Sequence, residues 1–162
     1  FKLEVHVEGK VDPETGFVID FGHIESAIKP TYDLIDHNYL NDIKGLENPT
    51  SEVLVEWIWN NLYKHFNNEW NFDKNQNKIC NLVKLVLWEN EVSKVEFKGK
   101  ENIKVGDTVY KTLRFNFSSS DPSLSKDKKL NTDIWYEEDT LLWVKAAFDK
   151  TGYWEYRLKK VK

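Results

Sequence analysis

The sequence has no methionine and one cysteine, Cys80, in 162 residues. One thiol excludes an internal disulfide and any metal site made of several cysteines. Cys80 stands at the head of an apolar run and reads as a small core residue. A chain that starts at Phe1 and holds no Met reads as trimmed, processed or assembled from pieces. Long hydrophobic runs are also missing. Nothing approaches the roughly 18 residues of a membrane span, and no signal-peptide pattern is visible. The expected compartment is therefore the cytoplasm, with no membrane partner. Positive charge is not in excess either: the net charge is −4, which argues against nucleic acid as a partner.

What is abundant points to a packed fold. Apolar residues make up 40% of the chain and aromatics 14%, enough for one sizeable domain or two small ones and too much for disorder. The charge is unevenly spread. Residues 1–101 hold 11 Lys and Arg against 18 Asp and Glu, whereas residues 102–162 hold 12 against 9. The two stretches look like different stock, and we divide the chain there.

Alternation of Leu3, Val5 and Val7 with polar neighbours predicts a half-buried strand, with His6 on its wet face. Asp12-Pro13-Glu14-Thr15-Gly16 has turn chemistry. A first helix is predicted from Asp20 as N-cap, with Phe21, Ile24, Ile28 and Ile35 at helical spacing and Pro30 set to kink or split it. Asn48-Pro49 fits an N-cap and first residue of a second helix. That helix runs to about Phe66, with Val53, Leu54, Trp57, Ile58, Leu62 and Phe66 on one stripe. Asn67–Lys78 reads as a polar connection. Ile79–Trp88 and Val92–Phe97 read as strands. The remainder is predicted as a meander: a strand through Val109, Leu113, Phe115 and Phe117, then Ile134–Tyr136, Leu141–Phe148 and Tyr153–Leu158. Leu142, Val144, Ala146 and Phe148 should share one face, as should Trp154, Tyr156 and Leu158. Glu137-Glu138-Asp139 and Asp149-Lys150-Thr151-Gly152 are the turns. The acidic triplet reads as a solvated hairpin, not a metal site.

Gly16-Phe17-Val18-Ile19-Asp20-Phe21, then Leu34-Ile35-Asp36-His37-Asn38-Tyr39-Leu40-Asn41, then Glu47-Asn48-Pro49-Thr50-Ser51-Glu52, and last Leu87-Trp88-Glu89 occur in an order that resembles the 6-pyruvoyl- and 6-carboxytetrahydropterin synthase family. The likeness covers residues 1 to about 101. The enzyme of queuosine and 7-deazaguanine biosynthesis is the nearer match. This resemblance implies the tunnelling fold: antiparallel strands and a helix pair that assemble with copies of themselves. It also implies functional positions. Asp36 and His37 match an Asp-His pair that moves protons, a task suited to an imidazole beside a carboxylate. Glu89 matches the glutamate that accepts hydrogen bonds from the pterin ring's donor edge, and Thr50 lines the same pocket. Asn90 stands where the family prefers Thr.

Zinc in this family takes three histidines, one on a first strand and two in a His-x-His at the start of the second. The chain begins just after that point. Its histidines, His6, His23, His37 and His65, include no pair spaced by two, and Cys80 does not occupy the family's catalytic cysteine position. The expectation is therefore an α+β protein in which an antiparallel sheet with a packed helix pair is extended by a C-terminal β-meander (residues 102–162). That meander either completes the same sheet, covering the edge left by a lost strand, or forms a sheet of its own. On this reading the chain is a non-catalytic hybrid: no metal ligands, no cofactor, a weakly bound pterin, and oligomer formation through strand edges. The rival is a zinc-dependent 6-carboxytetrahydropterin synthase, a lyase acting on dihydroneopterin triphosphate, whose upstream histidines lie outside this sequence.

Overall fold

The computed structural model describes residues 1–149 and 152–159. In chain order the elements are β1 (Lys2–Gly9), α1 (Phe21–Ile35), α2 (Ser51–His65), β2 (Cys80–Trp88), β3 (Ser93–Val105), β4 (Thr108–Ser119), β5 (Asn131–Glu137), β6 (Trp143–Asp149) and β7 (Tyr153–Arg157). The strands follow one another in a seven-stranded sheet, β1-β2-β3-β4-β5-β6-β7, with β2 through β7 pairing antiparallel. This is an α+β architecture. No helix among the described residues is long and apolar enough to cross a membrane. Two compact units divide the chain, Val5–Lys84 and Phe1–Glu4 with Leu85–Lys162.

Val5–Lys84 contains both helices. Asp20 caps α1 as anticipated, accepting a hydrogen bond from the Gly22 N–H at 2.7 Å. The helix continues through Pro30 without splitting. Its buried positions are Ala27 and Thr31, and Phe21, expected on the apolar stripe, is exposed. The second helix starts later than Asn48-Pro49 suggested. Thr50 is the N-cap, its hydroxyl accepting from the Val53 N–H at 3.4 Å, and a hydroxyl in that place satisfies a helix-end donor that Pro49 cannot. The buried face of α2 is Leu54, Val55, Ile58, Trp59 and Leu62, continued by Phe66; Val53 and Trp57 are half-buried. His6 is half-buried and not on a wet face.

The polar connection hides one further determinant. Asn71 is fully buried. Its amide nitrogen donates to the carbonyls of Phe66 and Cys80, both at 2.7 Å. Its carbonyl oxygen accepts from the Cys80 N–H at 2.9 Å and from the Cys80 thiol at 3.3 Å. One side chain thereby joins the end of α2 to the start of β2. Cys80 is buried as expected, and burial pushes its thiol pKa up.

In the other unit, one sheet face is apolar. Leu85 pairs with Phe97 and Leu87 with Val95, and Phe97 pairs with Phe115, their rings 5.1 Å apart. β3 is longer than the sequence suggested: it passes an irregularity between Phe97 and Lys100 and reaches Val105. Gly106, at φ 59°, then makes the tight turn into β4. The opposite face is polar and laced together. The Arg114 guanidinium lies 4.9 Å and the Lys145 ammonium 4.3 Å from the Trp135 ring centre. Lys145 pairs with Glu155 at 2.7 Å.

The face assigned to β6 needs correction. The register shifts between Trp135 and Tyr136, leaving Val144 as an extra residue between Trp143 and Lys145. A bulge of this kind turns successive side chains inward, so Val144, Lys145 and Ala147 are buried while Leu142 is exposed. Trp154 and Tyr156 are exposed, and the Tyr156 ring stacks on that of Phe148 with centres 5.8 Å apart. Residues Lys150 and Thr151 of the last turn lie outside the described residues. Among the described residues no tail strand lies beside β1, and the meander continues the sheet from β3.

Candidate functional site

Asp36, His37 and Thr50 lie in Val5–Lys84, and Glu89 lies in the other unit. The Asp-His pair closes α1. Asp36 is the C-cap, its N–H donating to the Tyr32 carbonyl at 2.9 Å. His37 follows in the left-handed region at φ 56°, a conformation costly for a non-glycine residue and one that often marks functional sites. The turn brings the His37 Nδ1 to 3.0 Å from the Asp36 carboxylate, with the imidazole 92% exposed. His37 holds the Asp36 carboxyl below the ordinary carboxylate range, assisted by a hydrogen bond with Tyr32, while Asp36 pushes the Tyr32 phenol up. Tyr32, Asp36 and His37 thus form a chain of exchangeable protons facing solvent. The sequence pattern held the last two; Tyr32, one helical turn before Asp36, was overlooked. The structure gives Thr50 the role of helix cap.

Glu89 sits just past the end of β2, where the strand opens into a turn. Its N–H donates to the Ser93 carbonyl at 3.1 Å, and Asn90 braces the turn by accepting from the N–H groups of Val92 and Ser93 at 2.9 and 2.8 Å. The departure from Thr at position 90 thus serves the turn. A hollow of about 440 Å³ opens here, lined by Phe1, Lys2, Trp88, Glu89, Asn90 and Glu91. Trp88 supplies an indole wall, held by its Nε1–H donating to Glu4 at 2.9 Å. The Lys2 and Lys94 ammoniums lie 5.3 and 5.2 Å from its ring centre. Two carboxylates beside an aromatic plane suit a flat ligand with an N–H edge. Trp88 and Lys2 were missed as pocket residues, although the Trp-Glu dipeptide at a strand end was the available signal.

Among the described residues, no group of three or more His, Cys, Asp or Glu side chains is placed to hold a metal ion. The described residues do not bring three imidazoles together.

A strand, two helices and a return through antiparallel strands make this an α+β protein. The family model for 6-pyruvoyl tetrahydropterin synthase matches residues 1–100, and the chain belongs to that family. It is 47% identical over 47 residues to the 6-carboxy-5,6,7,8-tetrahydropterin synthase of Synechocystis sp., covering 28% of this chain and 36% of that protein. It is 27% identical over 119 residues to the protein of the same name from Aquifex aeolicus, covering 60% of this chain and 70% of that one. The chain thus spans about a third of the first of these relatives.

Proposed function

We propose that this polypeptide recognises a pterin at Glu89 and does not itself turn it over. The observation that carries the reading is the hollow beside Trp88, where the Glu89 carboxylate meets an aromatic wall. Residues 1–100 are family stock in this reading, with the sheet continued by a segment from outside the family, in keeping with the end of the family match at residue 100 and the change of charge sign beyond it. The fold of the family part is the tunnelling fold. Asp36 and His37 keep the proton-moving pair without a metal-polarised substrate to act on. The protein works in the cytoplasm.

Titration with a pterin, followed by tryptophan fluorescence, tests the binding. Saturation in the micromolar to millimolar range is expected. Glu89→Gln removes a charge-assisted pair worth about 1.5–3 kcal/mol and weakens binding about 10- to 100-fold. Absence of saturable binding, or indifference to Glu89→Gln, rejects the pocket.

A second reading is supported by the names of the relatives and the limited share of the first that the chain covers. Here the chain is part of a zinc-dependent 6-carboxytetrahydropterin synthase whose ligands lie outside these residues. Intact mass and metal analysis separate the two. An intact mass above that of these 162 residues, together with one zinc per chain, defeats the non-catalytic reading.

A further inference from the structure

A second hollow, of about 650 Å³, lies on the polar face of the sheet between β3, β4 and the loop that leads into β5. Its composition differs from that of the Glu89 hollow. Four lysines line it, Lys94, Lys98, Lys126 and Lys129, against two carboxylates, Glu96 and Asp127. Lys94 is neutralised by Glu96 at 2.7 Å, and Lys98 by Asp133 at 3.2 Å. Lys126 and Lys129, on the loop, make no salt bridge among the described residues, although Lys129 helps lower the Asp121 carboxyl, so the hollow presents positive charge that its own carboxylates only partly offset.

Its floor is polar and withdrawn from water. Asn116 is 8% exposed and donates its amide N–H to the Asn131 side chain at 2.9 Å, which leaves its carbonyl oxygen to accept. The Ser118 hydroxyl is buried with no hydrogen-bond partner among the described residues. Buried hydroxyls normally have partners, and an orphan on the wall of a cavity is a group arranged for one that comes from outside. Donor and acceptor on the floor and two cations on the rim fit a molecule with hydroxyls at one end and a dianion at the other.

We propose that this hollow binds a phosphate monoester of a small polyol, with Lys126 and Lys129 on the phosphate and Ser118 and Asn116 on the hydroxylated carbons. The site goes beyond the pterin reading and shares no residue with the Glu89 hollow.

The probe is ribose 5-phosphate, titrated into the full chain while backbone amide resonances are followed by NMR. Signals of Asn116, Ser118 and residues 126–131 should move together along one saturating curve, with a Kd of about 1 mM. Ribose and inorganic phosphate serve as comparison ligands. Lys126→Ala combined with Lys129→Ala should weaken ribose 5-phosphate at least about tenfold. Ser118→Ala should bring its affinity close to that of inorganic phosphate. Glu89→Gln should leave the curve unchanged, so that failure here is distinguishable from failure of the pterin site. Three results overturn the proposal: no saturation by about 50 mM, equal shifts with neutral ribose, or affinity untouched by the lysine substitutions. Inorganic phosphate binding as tightly as ribose 5-phosphate overturns the polyol half. The lysines are loop residues, so these variants fold, which matching amide spectra in the rest of the chain will verify.

Discussion

Asn71→Ala tests the architecture most directly. The substitution removes a buried side chain that satisfies the Phe66 carbonyl, the Cys80 carbonyl and the Cys80 N–H. Each buried backbone group left unpaired costs about 1–3 kcal/mol. Three of them give a loss of at least about 3 kcal/mol if water does not replace the amide. Exposed Asn75, in the same connection, is the control: Asn75→Ala should stay within about 0.5 kcal/mol. Urea unfolding followed by tryptophan fluorescence measures the difference as a shift in midpoint at constant m. Thermal unfolding should move by about 6–12 °C for a chain of this size. A second readout is chemical. Cys80 is buried and its thiol pKa is raised, so the native protein should react slowly with a thiol reagent, and Asn71→Ala should react faster as the clamp opens. A loss below about 1 kcal/mol with unchanged thiol reactivity would refute the reasoning, because the three backbone groups would then be satisfied some other way.

Three further outcomes follow from described contacts. Thr50→Ala should cost about 0.5–1 kcal/mol through loss of the α2 cap, at the low end because the bond is long at 3.4 Å; Thr50→Ser should restore it, whereas a pure pocket role predicts no change in urea midpoint. Gly9→Ala places a methyl group against the Ile79 carbonyl and 2.8 Å from a Val18 methyl, so backbone must move and stability should fall by about 1–3 kcal/mol in the same assay. Glu155 is held down to about 2 from the ordinary 4.5 by hydrogen bonds from Lys145 and Arg157. A depressed carboxyl contributes stability above its unfolded value and loses it as pH falls toward the folded one. The wild type should therefore weaken between about pH 4.5 and 2, and Glu155→Gln should flatten that part of the pH profile; a parallel profile would reject the assignment.

Local chemistry was legible in the sequence wherever one residue decides the backbone. Asp20 capped its helix, Gly16 took positive φ at 75°, and the α2 stripe was largely right. The misreadings share one cause, since periodicity assumes an unbroken register. The bulge at Val144 reversed the facing of β6, and the irregularity after Phe97 let β3 continue through a polar stretch that lacks strand alternation. Asn71 was invisible for another reason: in sequence it is one asparagine among several, and only tertiary placement makes it a clamp. At the candidate site, the motif containing Asp36, His37 and Glu89 could be read from residue order alone. The His37 conformation, the Tyr32 partner and the indole wall of the hollow could not, because each depends on where a turn directs a side chain.

Residue 100, where the family match ends, falls inside β3, with Lys100 paired to Leu113 and Glu101 to Thr112 on β4. The family match therefore stops in the middle of a structural element. A fragment cut at residue 100 would strip Phe97 of Phe115 and leave a raw apolar ribbon prone to clumping. Anyone trimming this protein, or grafting its family portion elsewhere, should take the β3–β4 hairpin whole.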